Sequence, residues 1–212
     1  MAIGNGGQRG RLGLVGRAVT LIAAAALAAC STTSPAAVHG ATTVPPTTTT
    51  STTASTTTTD PGLLPQTPDK PSASGPVFDT GVNDLWSAVQ TDDPQKAMPF
   101  FFPLTAYVQV KAISNPESDW HNRLVAAYDR DIHSLHLSLG PNASQAQLVG
   151  IDVPSSRAQW ITPGVESNKG SYWRVYGTRI RYTVNGQPQS FAVASLISWR
   201  GEWYVVHLSS VG

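Results

Sequence analysis

Tyr172-Trp173-Arg174-Val175-Tyr176-Gly177-Thr178-Arg179-Ile180-Arg181-Tyr182-Thr183-Val184, then Asn185-Gly186, then Phe191 to Arg200, is the stretch that decides the fold. Both flanks are rich in aromatic and β-branched residues, and Asn-Gly between such runs is the signal of a two-residue hairpin turn, whose central positions need positive φ. Two long antiparallel strands follow. Arg200-Gly201-Glu202 turns the chain again into a last strand, Trp203 to Leu208, and the shorter runs Leu148 to Val153 and Ala158 to Ile161 precede the hairpin. Gly177 in mid-strand marks a bulge or a close backbone approach.

Upstream the period changes from two to 3.6. Val82, Leu85, Trp86 and Val89 fall at i, i+3, i+4 and i+7, one buried helix face. Asp93-Pro94 reads as an N-cap followed by proline at the first helical position, opening a short helix through Phe100-Phe101-Phe102 that Pro103 ends. Tyr107 to Lys111 reads as extended. Asn115-Pro116 repeats the cap, and Trp120, Leu124, Tyr128, Ile132, Leu135 and Leu139 form the stripe of a longer helix stopped by Gly140-Pro141. A sheet of this length needs cover, and only the helices can supply it. The expected class is α+β, with N-terminal helices packed on a curved antiparallel sheet over residues 78–212.

Residues 30–77 are dominated by Thr, Ser, Pro and Ala, with Leu63 and Leu64 as almost the only large apolar side chains. Such a chain cannot bury enough surface to offset its ordering entropy and is expected as a disordered stalk, with a reach of roughly 35–40 Å. Residues 1–29 carry Arg9, Arg11 and Arg17, then a short apolar run from Ala18. Leu27-Ala28-Ala29-Cys30 sets the single cysteine of the chain behind two small residues. This stretch resembles a bacterial lipoprotein signal peptide. The resemblance implies cleavage before Cys30, lipid attachment to its sulfur, and a protein exported to the outer face of the cell membrane and held there by acyl chains.

Ala88-Val89-Gln90-Thr91-Asp92-Asp93-Pro94-Gln95-Lys96-Ala97 and the closing Trp199-Arg200-Gly201-Glu202-Trp203 are similar to segments of the nuclear-transport-factor-2-like branch of the cystatin-like fold. The resemblance implies a cone of helices on a curled sheet, found in actinobacterial envelope lipoproteins. Members of that fold serve as enzymes, scaffolds and dimerisation modules, so the fold does not choose among them.

The 14 Lys and Arg are matched by 13 Asp and Glu, which leaves no basic footprint for nucleic acid. One cysteine permits no intramolecular disulfide and no cysteine-based metal cluster. His133 and His136, with Asp129 and His121 on the same helix, read as a polar flank, so no metal or cofactor is assigned. His207 on the last strand, sharing a face with Trp203 and Val205, is the candidate acid or base, with Asp131 or Asp152 as its carboxylate. Trp173, Arg174, Tyr176, Arg179 and Arg181 form a candidate binding strip: Arg179 and Arg181 share a face with Trp173, and Arg174 shares the other with Tyr176. The leading expectation is a non-enzymatic envelope module that binds a protein partner or a small apolar ligand. The alternatives are an isomerase or dehydratase built on His207, and a structural role as a homodimer through the open sheet face.

Overall fold

The computed structural model describes residues 60–208. The stretch expected as a signal peptide, Cys30 and the Thr-rich run lie outside the described residues. The architecture is α+β. α1 (Pro76–Thr91) is followed by a 3-10 helix (Pro94–Phe100) and α2 (Leu104–Val110). Then α3 (Pro116–Asp119), a π-helical stretch (Trp120–Val125) and α4 (Ala126–Leu139) follow one another without a break. The strands are β1 (Gln147–Asp152), β2 (Gln159–Ile161), β3 (Tyr172–Val184), β4 (Gln187–Trp199) and β5 (Glu202–His207). They form one antiparallel sheet in the order β1-β3-β4-β5, with β2 pairing the start of β3 beyond the end of β1. Among the described residues no helix is long and apolar enough to cross a membrane.

Local chemistry sets the boundaries. Asn185 and Gly186 take φ of 50° and 74°, the conformation their turn requires. The side chain of Asp93 accepts from the Gln95 N–H, and that of Asn115 accepts from the Ser118 N–H, each ahead of a proline at the first helical position. The core joins the stripes of α1 and α4 to the sheet: Trp86 stacks on Tyr182 at 5.2 Å, and Phe102 meets Trp199 and Tyr204 edge-on. His133 bonds Asp92 at 2.8 Å and His136 bonds the Val89 carbonyl at 3.0 Å. This pair ties α4 to α1.

Four expectations are corrected. Tyr107 to Lys111 is not extended, because Leu104–Val110 is a helix that buries Ala106, Tyr107 and Val110 on one side. Gly177 does not mark a bulge between β3 and β4, since Tyr176 faces Ser195 and Thr178 faces Val193 in unbroken register. Its φ of 81° is nevertheless one that glycine adopts without strain. The register shifts lie instead at Val149 in β1 and at Val206 in β5. Phe101 and Phe102 leave the short helix and run beside β5, where Phe102 N–H donates to the Val205 carbonyl, so that this segment covers part of the sheet edge.

The fourth correction concerns residues 60–77, which are packed on the domain. Gln66 donates from Nε2 to the carbonyls of Ser198 (2.9 Å) and Ser171 (3.3 Å), and its Oε1 accepts from the Arg200 N–H at 2.6 Å. Trp199 donates to the Pro61 carbonyl and Trp173 to the Pro68 carbonyl. Asp60 accepts from both Gly62 N–H and Thr105 Oγ1. The segment is a strap held by amide and indole hydrogen bonds rather than by large apolar side chains. That is why its composition read as stalk.

Candidate functional site

A cavity of about 110 Å³ opens on the helix-facing side of the sheet, between the C-terminal half of α2 and strands β3, β4 and β5. α2 contributes Tyr107, Val110 and Lys111, the last just past its end. The loop from Thr162 to Ser171 is stitched to the same helix end: Ala112 N–H donates to the Ser167 carbonyl, and Lys169 N–H to the Val110 carbonyl. Buried Asn168 holds the loop in shape by donating to the carbonyls of Thr162 and Gly170 and accepting from the Glu166 N–H. Glu166 is thereby placed against the cavity.

His207 reaches the cavity because of the bulge in β5. Leu196 faces Val205 while Ser195 faces His207, so Val206 is the extra residue. In a regular ladder His207 would share the face of Trp203 and Val205, as the alternation of the sequence predicts. The bulge moves it to the face of Ser195, where its Nδ1 and Ser195 Oγ are 3.1 Å apart. The carboxylates named for it lie elsewhere: Asp152 pairs with Arg181 at 2.7 Å, and Asp131 sits on α4. The carboxylate that lines the cavity with His207 is Glu166.

Comparison of the chain with protein-family models, curated proteins and solved structures finds no match. Glu166 forms an ion pair with Arg174 and accepts from the Tyr172 hydroxyl at 2.7 Å. Arg174 also donates to Gln159 and lies over the Tyr176 ring, 4.3 Å from its centroid. On the α2 side, Asp119 takes two bonds from Arg123 at 2.7 and 2.8 Å and one from the Tyr107 hydroxyl. Arg123 sits in the π-helical stretch, an irregularity frequent at functional sites.

The charges leave their mark on acidity. The Arg123 bonds hold the Asp119 carboxyl down to about 2. Burial, then the bond to Asp119, raises the Tyr107 phenol, and burial with the neighbouring Tyr176 raises Tyr172 to about 12. Burial first and Arg123 second lower Lys111. His207 is lowered by burial and then by the charges of Arg123 and Lys111, although part of its surface stays open to solvent.

The five residues of the candidate strip are spread over both faces of the sheet. Arg174 and Tyr176 belong to the cavity mouth, and Trp173 is met by the strap, with Lys70 Nζ 5.3 Å from its ring centroid. Arg179 donates to Ser190 and Arg181 pairs with Asp152 on the exposed opposite face. Lys111, Glu166 and Ser195 were not singled out by the sequence. Tyr107 and Lys111 at i, i+4 and Asp119 and Arg123 at i, i+4 are the signals that a helical reading of α2 would have used.

Stability should fall on acidification in two steps. The folded-state pKa of His207 lies below its ordinary value of 6.5, so the unfolded chain takes up the proton first and stability drops as pH falls below about 6.5. The folded-state pKa of Asp119 is depressed too, so its contribution is complete above about pH 4 and is lost toward pH 2. After allowance for solvent around the pair, that second step amounts to about 1–2 kcal/mol. Urea midpoints against pH should show the wild-type advantage over Asp119→Asn shrinking between pH 4 and 2. The difference between wild type and His207→Gln should change sign of slope nowhere and flatten above pH 7. Parallel curves for all three proteins would show that neither group is placed as described.

Proposed function

We propose that the chain is a lipid-anchored envelope module, held at the outer face of the cell membrane through Cys30, that binds its ligand or partner at the cavity between α2 and the sheet. The observation that supports binding over chemistry is the pairing of the carboxylate at the cavity. Glu166 is neutralised by Arg174 and accepts from the Tyr172 hydroxyl, and Asp119, outside the cavity lining, is neutralised by Arg123 and accepts from Tyr107, so neither is poised to exchange a proton with His207. In this reading the helices and sheet form the cone of the nuclear-transport-factor-2-like fold, and the cavity is its open end. The lipoprotein-type stretch ending at Cys30 supports the anchor.

One observation favours a second reading, an isomerase or dehydratase: His207 lines a cavity with Ser195 Oγ at 3.1 Å. A deletion strain complemented with variants separates the two. Under the binding reading His207→Gln complements, whereas loss of a proton-transferring ring would cost about 10²–10⁴-fold in rate and abolish complementation by a folded, membrane-bound mutant. Growth with labelled palmitate should label the wild-type protein and leave Cys30→Ala unlabelled and out of the membrane fraction. A labelled Cys30→Ala protein would refute the anchor.

A further inference from the structure

Lys111 is the uncompensated charge of the cavity. Both carboxylates nearby are already matched by arginines, and among the described residues Lys111 has no carboxylate within ion-pair distance. Of its three N–H donors, one goes to the Glu166 backbone carbonyl at 3.2 Å, and the ammonium lies 5.9 Å from the Tyr107 ring centroid. With one protein hydrogen bond and a ring as its protein partners, this half-buried ammonium has donors left for a ligand, and an anion beside it adds charge-assisted bonds. His207 lines the same cavity and adds a second nitrogen donor, while Val110, Ile197 and Val206 give it apolar walls. The volume of about 110 Å³ corresponds to about four waters at ~30 Å³ each.

We propose that this cavity takes a short-chain monocarboxylate of two to four carbons, its head group on Lys111 Nζ and His207 and its alkyl chain against Val110, Ile197 and Val206. This rests on the reading of the cavity as the binding site and names the ligand class. Carbons beyond the fourth would leave through the mouth and gain no further contact with the apolar walls. Inorganic phosphate brings more oxygens than the two donors satisfy and leaves the apolar walls unused.

The test is calorimetric titration of the full chain, purified in detergent, with acetate, propionate, butyrate, octanoate and inorganic phosphate. Propionate and butyrate should bind one to one and more tightly than acetate, octanoate should bind no more tightly than butyrate, and phosphate should be silent. Lys111→Met should weaken butyrate about tenfold or more, the loss expected for a hydrogen bond to a charged group, and Lys111→Arg should retain part of the affinity. Thermal melts of both variants check that the fold is intact. Equal binding of phosphate and butyrate, or butyrate binding that Lys111→Met leaves unchanged, overturns the carboxylate assignment. Complementation by Lys111→Met distinguishes the two levels of failure. If no carboxylate binds and the folded variant fails to complement, the cavity serves another ligand and only this assignment falls. If no carboxylate binds and the variant complements fully, the cavity is not the site and the binding reading falls with it.

Discussion

A chain that begins at Pro76 should unfold at a much lower urea concentration than one that begins at Asp60, although α1 and all five strands are present in both. Removing the strap strands the Trp199 indole N–H, which is buried and donates to Pro61 at 2.8 Å, and the carbonyls of Ser171 and Ser198 that Gln66 occupies. Each lost hydrogen bond is exchanged for one to water at a net cost of about 0.5–1.5 kcal/mol, and the Trp173 and Trp199 rings lose their cover, against which the truncated chain recovers the ordering entropy of the strap. The net loss should be about 3–5 kcal/mol, or roughly 2 M in the urea midpoint at a typical slope. Gln66→Ala alone should reproduce part of it, because one side chain serves both carbonyls and the Arg200 N–H. Equal midpoints for the two chains would mean that residues 60–75 do not hold the sheet.

The second large effect is expected at Gly81, in the middle of α1. A Cβ there would fall on the ring of Phe100, well inside contact distance. Phe100 cannot yield easily, being buried and packed edge-on against Phe78 with centroids 5.7 Å apart. Intrinsic propensity favours alanine over glycine in a helix by about 1 kcal/mol, so a helix free of this contact would gain from Gly81→Ala. Here Gly81→Ala should destabilise, and Gly81→Val should cost about 3 kcal/mol by overpacking. In the double variant with Phe100→Ala the two losses should add to less than their sum, since the truncated side chain vacates the space. Stabilisation by Gly81→Ala would contradict the close approach of α1 to Phe100.

Local signals made most of the fold legible. The Asn185-Gly186 turn, the Asp93 and Asn115 caps and the strict periods of α1 and α4 each act through near neighbours, and each element lies where its signal placed it. α2 was missed because Val108 and Val110 favour strands intrinsically, whereas tertiary burial of Ala106, Tyr107 and Val110 decides the helix. The strap was missed because its hold is polar and non-local, Gln66 reaching Ser198 across 132 positions. At the site, His207 was legible as a residue but not in its facing, which a single inserted residue in β5 reverses. The pairing of Glu166 with Arg174 and the meeting of Lys111 with Glu166 depend on a loop stitched to a helix end. No spacing in the sequence encodes that contact.

The meeting of Lys111 and His207 at one cavity, with the Arg123 charge close by, is tested most directly by the NMR titration of the His207 imidazole in the full chain. The expected midpoint lies below the ordinary 6.5, because burial and the two neighbouring cations disfavour the charged ring, and it shifts upward in Lys111→Met. A midpoint at or above 6.5 that Lys111→Met leaves in place would show that His207 does not face Lys111 across the cavity, and the site described here would not exist.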